Sequence, residues 1–359
     1  MTSKSIFRSR VLGFQEKLIE LNCDLFLIEN PIDIFYFTGI TLSAGELWIH
    51  KEDVCLFVDG RYLEAAKEIC QCPIRNYKKE EMSSLLRSLP WQNTKRMGFD
   101  SLFTTYAKYQ ALTLFLREIE SEIALIPIDG PVKKIREIKD DSEVELLRAS
   151  AHLLTQGFAY LKDRIKLGIE ERELALEFEV FCKKMGAETL SFPPIIAFGE
   201  NSAFPHHRST HRKLKNGDTI LIDIGVCLNK YCSDMTRVLF FGDVPKEITE
   251  IYSIVKEAHN EALKKCHPGT LIRDLDQAAR SVIAKYGYEK YFLHSLGHGI
   301  GLEVHEYPSL KSSDDTLILK KGMVLTIEPG IYLKGIGGVR YEDTLLITET
   351  GFENFYSVN

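Results

Sequence analysis

Apolar residues recur along this chain in two rhythms, and the order of the rhythms divides it. Through the first third, short apolar runs alternate with amphipathic stretches. Asp24–Glu29, Ile34–Thr38, Val54–Val58, Arg96–Phe99 and Ile123–Ile128 read as strands, with Arg61–Ile69 and Thr105–Ile119 as helices between them. That pattern predicts an α/β domain. The cluster Pro127-Ile-Asp-Gly-Pro131 interrupts it, because Gly and Pro mark loops. The expected domains are therefore 1–129 and 130–359. Past the break, Leu146, Leu147, Leu153, Leu154, Phe158 and Leu161 line one face of a long helix. Ser142 and Glu145 have the spacing of a capping box at its start. Further helices are expected over Glu170–Met185, Lys246–Cys266 and Ile272–Tyr286. Runs rich in β-branched residues near Thr219–Gly225, Met235–Phe241, Met323–Ile327 and Arg340–Thr348 predict antiparallel strands. The second domain is thus expected to be α+β around an antiparallel sheet.

These strands carry acids where their pattern calls for apolar residues. Asp223 sits inside Thr219-Ile-Leu-Ile-Asp-Ile-Gly225, and Asp234 follows eleven positions later. A hairpin centred on Leu228-Asn229 sets the two opposite each other. Downstream, Glu328 ends the run Met323-Val-Leu-Thr-Ile-Glu328, and a hairpin centred on Gly335 sets it opposite Glu342. A buried carboxylate without a partner is costly, and like charges facing across strands destabilise. At ~4 Å each such pair repels by roughly 4 kcal/mol at an effective dielectric of 20. Two divalent cations remove the conflict. An oxygen-rich set with one imidazole suits manganese, iron or cobalt better than a thiolate-type zinc site does. The expected imidazole is His298, in the segment His294-Ser-Leu-Gly-His-Gly-Ile-Gly-Leu-Glu-Val-His305. Its glycines permit close approach of the backbone to a site. His206, in Asn201-Ser-Ala-Phe-Pro-His-His207, is a further candidate.

Composition narrows the classes. Hydrophobic residues make up 45% of the 359 and charged residues 27%, as in a soluble globular protein of about two domains. Lys and Arg number 45 against 51 Asp and Glu, a net charge of −6. No basic excess is present for nucleic acid. No run reaches the ~18 apolar residues of a membrane span, and the first residues lack a signal-peptide pattern. The cytoplasm is the expected location. The eight scattered cysteines then read as reduced thiols. Competing motifs fail: His305-Glu306 opens like a zincin helix, but Ser309 stands at the second histidine position.

With these segments in order, the chain resembles the pita-bread metallopeptidases, specifically their Xaa-Pro aminopeptidase and prolidase branch. The resemblance rests on Asn201-Ser-Ala-Phe-Pro-His206, Leu221-Ile-Asp-Ile-Gly225, Ser233-Asp-Met-Thr-Arg237, His294 through His305, Thr326-Ile-Glu-Pro-Gly-Ile-Tyr332 and Val339-Arg-Tyr-Glu-Asp-Thr344. It implies a creatinase-like α/β N-terminal domain and a pita-bread catalytic domain. It also implies two divalent ions, manganese first and cobalt, iron or zinc otherwise. Asp223 would chelate one ion, His298 and Glu328 the other, with Asp234 and Glu342 bridging. Glu328 would move the proton of the attacking water, His305 would hydrogen-bond the oxyanion, and His206 would contact the leaving nitrogen. His294 would help form the proline pocket, and Arg340 would anchor a substrate carboxylate or an acidic network. The expected activity is hydrolysis of the N-terminal Xaa-Pro bond of peptides, an Xaa-Pro aminopeptidase. The alternatives are an Xaa-Pro dipeptidase and, more remotely, a noncatalytic binding module on this fold. A homodimer follows from the same resemblance.

Overall fold

A computed structural model describes residues 3–356, apart from 312, 314 and 315. Its chain divides into two units, Met1–Lys134 and Ile135–Asn359. The N-terminal unit begins with helix α1 (Ser3–Glu20), strand β1 (Leu25–Ile28), helix α2 (Pro31–Thr38) and strand β2 (Glu46–His50). It continues with β3 (Val54–Val58), α3 (Leu63–Ile69), β4 (Ile74–Asn76), α4 (Lys79–Leu86), β5 (Arg96–Asp100), α5 (Tyr106–Glu118) and β6 (Ala124–Ile128), and the short α6 (Pro131–Ile135) ends it. The six strands form one mixed sheet in the order β4-β3-β2-β1-β5-β6. Trp48, Phe57, Trp91, Met97 and Phe115 fill one side of it.

Two sequence expectations fail in this unit. Ile34–Thr38 is helical, not a strand. The caps overrule its apolar run: Asn30 Oδ1 accepts from Ile32 N–H, Pro31 opens the helix, and Gly39 closes it at φ 76° with its N–H on Phe35 O. Strand β2 went unanticipated. Its residues are buried without exception, so it shows no alternation of apolar and polar positions.

The C-terminal unit opens with α7 (Asp141–Lys162) and α8 (Glu171–Lys184). The capping box at its start uses Asp140 and Glu143, not Ser142 and Glu145. Asp140 Oδ1 accepts from Ser142 and Glu143 N–H, and Glu143 Oε2 accepts from Asp140 N–H. Asp is as good a cap as Ser, so the acid two positions earlier takes the role. Strands β7 (Thr189–Leu190), β8 (Ile195–Phe198), β9 (Asp218–Ile224), β10 (Val226–Leu228), β11 (Tyr231–Cys232) and β12 (Met235–Phe241) follow. Next come α9 (Lys246–Leu263) and α10 (Ile272–Lys285). The remaining strands are β13 (Gly297–Gly299), β14 (Glu306–Leu310), β15 (Val324–Ile327), β16 (Gly330–Leu333), β17 (Gly337–Arg340), β18 (Asp343–Ile347) and β19 (Phe352–Asn354).

All pairings among these strands are antiparallel. Sheet β12-β9-β8 packs Ile196, Phe198, Ile220 and Ile222 against Leu154 and Leu161 of α7 and Leu174 and Phe178 of α8. Sheet β14-β13-β15-β18-β19 and hairpin β16-β17 pack against the apolar faces of α9 and α10 through Leu325, Ile327, Leu345, Ile331 and Val339. The expected α+β architecture with antiparallel sheets is present. No described helix is long and apolar enough to cross a membrane.

Candidate metal centre

Two hairpins carry the acids, and their registers decide which acids meet. In the first, β9 pairs with β12 so that Asp223 lies opposite Thr236. The expectation that Asp223 faces Asp234 is therefore wrong by two positions. The hairpin centres on Asn229-Lys230, both in the left-handed region (φ 50° and 73°), which is the signature of a type I′ turn. Asp234 falls in the gap between β11 and β12, diagonal to Asp223. Its backbone is held there, with its carbonyl accepting from Thr344 Oγ1 (2.9 Å) and Tyr356 OH (2.8 Å).

The second hairpin has the expected register. Val324↔Leu346 through Ile327↔Asp343 on one side and Gly330↔Arg340 through Leu333↔Gly337 on the other belong to one alignment. Glu328 and Glu342 occupy the interruption between the two halves, at opposed positions. Glu342 N–H donates to Thr236 O, and Thr236 Oγ1 donates to Glu342 Oε2 at 2.7 Å. That bridge joins the two hairpins. His298 comes in on β13, its N–H donating to Thr326 Oγ1, while Glu328 N–H donates to Leu296 O.

The side chains converge. Atoms of Asp234, His298 and Glu342 lie within 4.8 Å of one another. His298 Nε2 is 3.5 Å from Glu328 Oε1 and 3.7 Å from Asp234 Oδ2. Asp223 Oδ1 and Asp234 Oδ1 are buried with no hydrogen-bond partner. Arg340, itself buried, forms an ion pair with the other oxygen of Asp223. Burial, then the nearby charge of Asp223, pushes Glu342 up to about 8. Burial and neighbouring carboxylates hold Asp234 and Glu328 well above the ordinary carboxylate range. Left to themselves, these acids keep protons they would lose in water.

His298 Nδ1 sits 3.0 Å from Gly299 O. That contact assigns the ring proton to Nδ1 and leaves the Nε2 lone pair facing the acids. Burial lowers the ring's pKa to about 4, so it is neutral, as a ligand must be. Partnerless carboxylate oxygens, acids short of counter-charge and an imidazole presenting a lone pair are the donor set that divalent cations satisfy.

Three further histidines surround this cluster. The His305 ring is exposed and stands edge-on to His298, with centroids 4.4 Å apart. Arg340 Nη1 donates to Tyr332 OH (2.7 Å), and His294 Nε2 is 2.8 Å from that hydroxyl. His294 Nδ1 is 2.9 Å from Ser295 O, so the run of donors is Arg340, Tyr332, His294. His206 is exposed, and behind burial its charge helps lower the pKa of His294 and His305. Its neighbour His207 instead sits 2.9 Å from the buried carboxylate of Glu171. That carboxylate also accepts from Phe198 N–H and Asn201 Nδ2, so His207 braces the loop that presents His206. Sequence reasoning missed Tyr332, Thr236 and Tyr356. Tyr332 and Thr236 lie inside the motifs quoted above but were given no role, and Tyr356 lies outside them.

Residues 10–138 match the creatinase/prolidase N-terminal domain, and residues 145–349 match metallopeptidase family M24. The chain belongs to metallopeptidase family M24. It is 37% identical over 342 residues to the Xaa-Pro dipeptidase of Pyrococcus furiosus, covering 94% of this chain and 95% of that one. The Xaa-Pro dipeptidase from Bacillus anthracis superposes with a TM-score of 0.92 at 33% identity, over 98% of each chain. The X-Pro aminopeptidase from Thermotoga maritima does so with 0.87 at 33% identity, over 96% of this chain and 98% of that chain. Such full-length likeness makes the C-terminal unit a pita-bread domain and this M24 member a metallopeptidase.

Proposed function

We propose that this M24 peptidase hydrolyses Xaa-Pro dipeptides, with its cations held by Asp223, Asp234, His298, Glu328 and Glu342. The observation that carries the substrate reading is the end-to-end match, at 37% identity, to an enzyme named as an Xaa-Pro dipeptidase. This favours the dipeptidase over the aminopeptidase first expected from the sequence. The Thermotoga maritima X-Pro aminopeptidase, matched over 96% of this chain, keeps the aminopeptidase as the second reading.

Two divalent cations, when bound, supply a hydroxide nucleophile at neutral pH and polarise the scissile carbonyl. The protein's own residues do the rest. Glu328, at the interruption of its hairpin, takes the nucleophile's proton and returns it to the leaving nitrogen. His305, exposed beside His298, donates to the tetrahedral oxyanion. His206 contacts the leaving nitrogen from the loop braced by His207 and Glu171. His294 presents its ring face to the proline. Arg340 holds Asp223 and Tyr332 in place. That pairing supports the acidic-network role for it over direct capture of a substrate carboxylate. Manganese leads the proposed cations, because the donor set is oxygen-rich.

The deciding experiment compares Xaa-Pro with Xaa-Pro-Yaa substrates on protein stripped by a chelator and refilled with manganese. Cleavage confined to Xaa-Pro is the expected result. Comparable cleavage of the tripeptide establishes the aminopeptidase, and no cleavage of either at full occupancy rejects Xaa-Pro specificity.

A further inference from the structure

Two cysteines near the tip of the first hairpin play no part in this reaction. Cys227 and Cys232 are direct cross-strand partners on β10 and β11. They occupy a non-hydrogen-bonded position of the ladder. Cys232 N–H donates away from its partner to Gly301 O, and Cys227 O accepts from Glu188 N–H on the far side. The next pair is joined by Ser233 N–H donating to Val226 O. Such positions bring facing Cα atoms to about 4.5 Å, within the roughly 4.4–6.8 Å that a disulfide spans. Both cysteines are free thiols. Cys227 is partly exposed and Cys232 is buried. The neighbouring Cys232 brings the Cys227 thiol down to about 7, and the thiolate is the reactive form.

We propose that Cys227 and Cys232 form an oxidisable site that closes to an intramolecular disulfide with a small disulfide oxidant such as oxidised glutathione. The Cys227 thiolate attacks one sulfur of the oxidant, forming a mixed disulfide and releasing the first equivalent of reduced thiol. Cys232 then loses its proton and attacks the Cys227 sulfur, displacing the second equivalent. The protein gives up two electrons and two protons, and the oxidant takes both as two thiols. The bond ties together the strands that lead to Asp223 and Asp234. It also removes the Cys232 S–H that faces Leu302 O at 3.8 Å.

The chain carries its own assay. Trypsin cuts after Lys215, Lys230 and Arg237, so Cys227 and Cys232 leave on separate peptides, 216–230 and 231–237. Cys70 and Cys72, which also contact each other, stay together on 68–75. Native full-length protein is treated with oxidised glutathione, alkylated and digested. The expected product is a 216–230/231–237 conjugate with loss of two of the eight thiols, reversed by dithiothreitol. Cys232→Ser should stop at a glutathione adduct on Cys227. Cys227→Ser should give neither conjugate nor adduct at Cys232, and turnover of both reduced variants should match the wild type. The proposal is overturned if the conjugate is absent, if it forms only after unfolding in urea, or if thiols are lost from 68–75 instead.

Discussion

At the residue scale, the centre is governed by where protons sit. In the metal-free protein Glu342 holds its proton up to about 8, against an ordinary value of 4.5. Because the folded value is raised, the stability this group contributes is fully present below 4.5 and is lost as pH rises through about 8. Chelator-stripped protein should therefore lose thermal stability across that window, and manganese-loaded protein should not. As a proposed ligand, Glu342 must release that proton when a cation binds. Calorimetric titration with manganese at neutral pH, in two buffers of different ionisation enthalpy, should reveal net proton release that shrinks as pH passes 8. Identical heats in the two buffers would show that Glu342 is already ionised. The proton-transfer role proposed for Glu328 predicts that Glu328→Gln cuts kcat by about 10²–10⁴-fold, the usual worth of a general base or acid. Turnover near wild type in a variant with full metal content would assign that role elsewhere.

At the element scale, the first hairpin depends on one residue that is poor at what it does. Asn229 suits the first position of a type I′ turn, but Lys230 dislikes the left-handed conformation required at the second, where Gly is preferred. Lys230→Gly should stabilise the protein by about 1 kcal/mol, the strain relieved at one such position, as read from the urea midpoint. An unchanged or lower midpoint would show that the exposed Lys230–Glu188 ion pair outweighs the strain.

The same turn shows why the sequence was legible only in part. Placing the hairpin centre one position early gave the wrong partner for Asp223, because a type I′ turn built from Asn-Lys lacks the Asn-Gly signal. At the second hairpin, glycines at 335, 337 and 338 mark the centre, and the register of Glu328 and Glu342 follows from counting. Ile34–Thr38 was misread because its β-branched and aromatic content outweighed its caps, although Asn30-Pro31 and Gly39 were in plain view. The antiparallel strands and the acids came through clearly. The Arg340–Tyr332–His294 run did not, since nothing in one dimension says that β16, β17 and the segment before β13 share a hydrogen-bonded chain.

At the scale of the C-terminal unit, the segment just after the unit boundary is tied to strand β14, which follows His305. Arg136 and Lys139 both pair with the carboxylate of Glu306, and all three side chains are nearly inaccessible. Burial opposes ionisation of Glu306, but Lys139 and Arg136 hold it down at about 2. Here the folded value is depressed. The stability it contributes is present above 4.5 and is lost as pH falls toward 2. Glu306→Gln takes its paired carboxylate from buried Lys139 and one of two carboxylates from Arg136, and should cost roughly 3–5 kcal/mol at pH 7. In urea unfolding the gap between variant and wild type should narrow at acid pH. A gap independent of pH would point to lost shape, not lost charge.

The single alignment running through β15–β18 and β16–β17 has a consequence for how this chain can change length. Surface turns ordinarily absorb insertions and deletions without harm. Residues 334–336, between Leu333 and Gly337, form such a turn by position, yet they measure out the distance that brings Glu342 to Glu328. One residue gained or lost there has to be absorbed as a bulge before Arg340. Otherwise every side chain of β17 turns over and Glu342 swings out of the cluster. A stretch that looks like a spare loop is in effect a spacer of set length, as the Asn229-Lys230 turn is for Asp223 and Asp234, and length variants at either turn should lose bound metal.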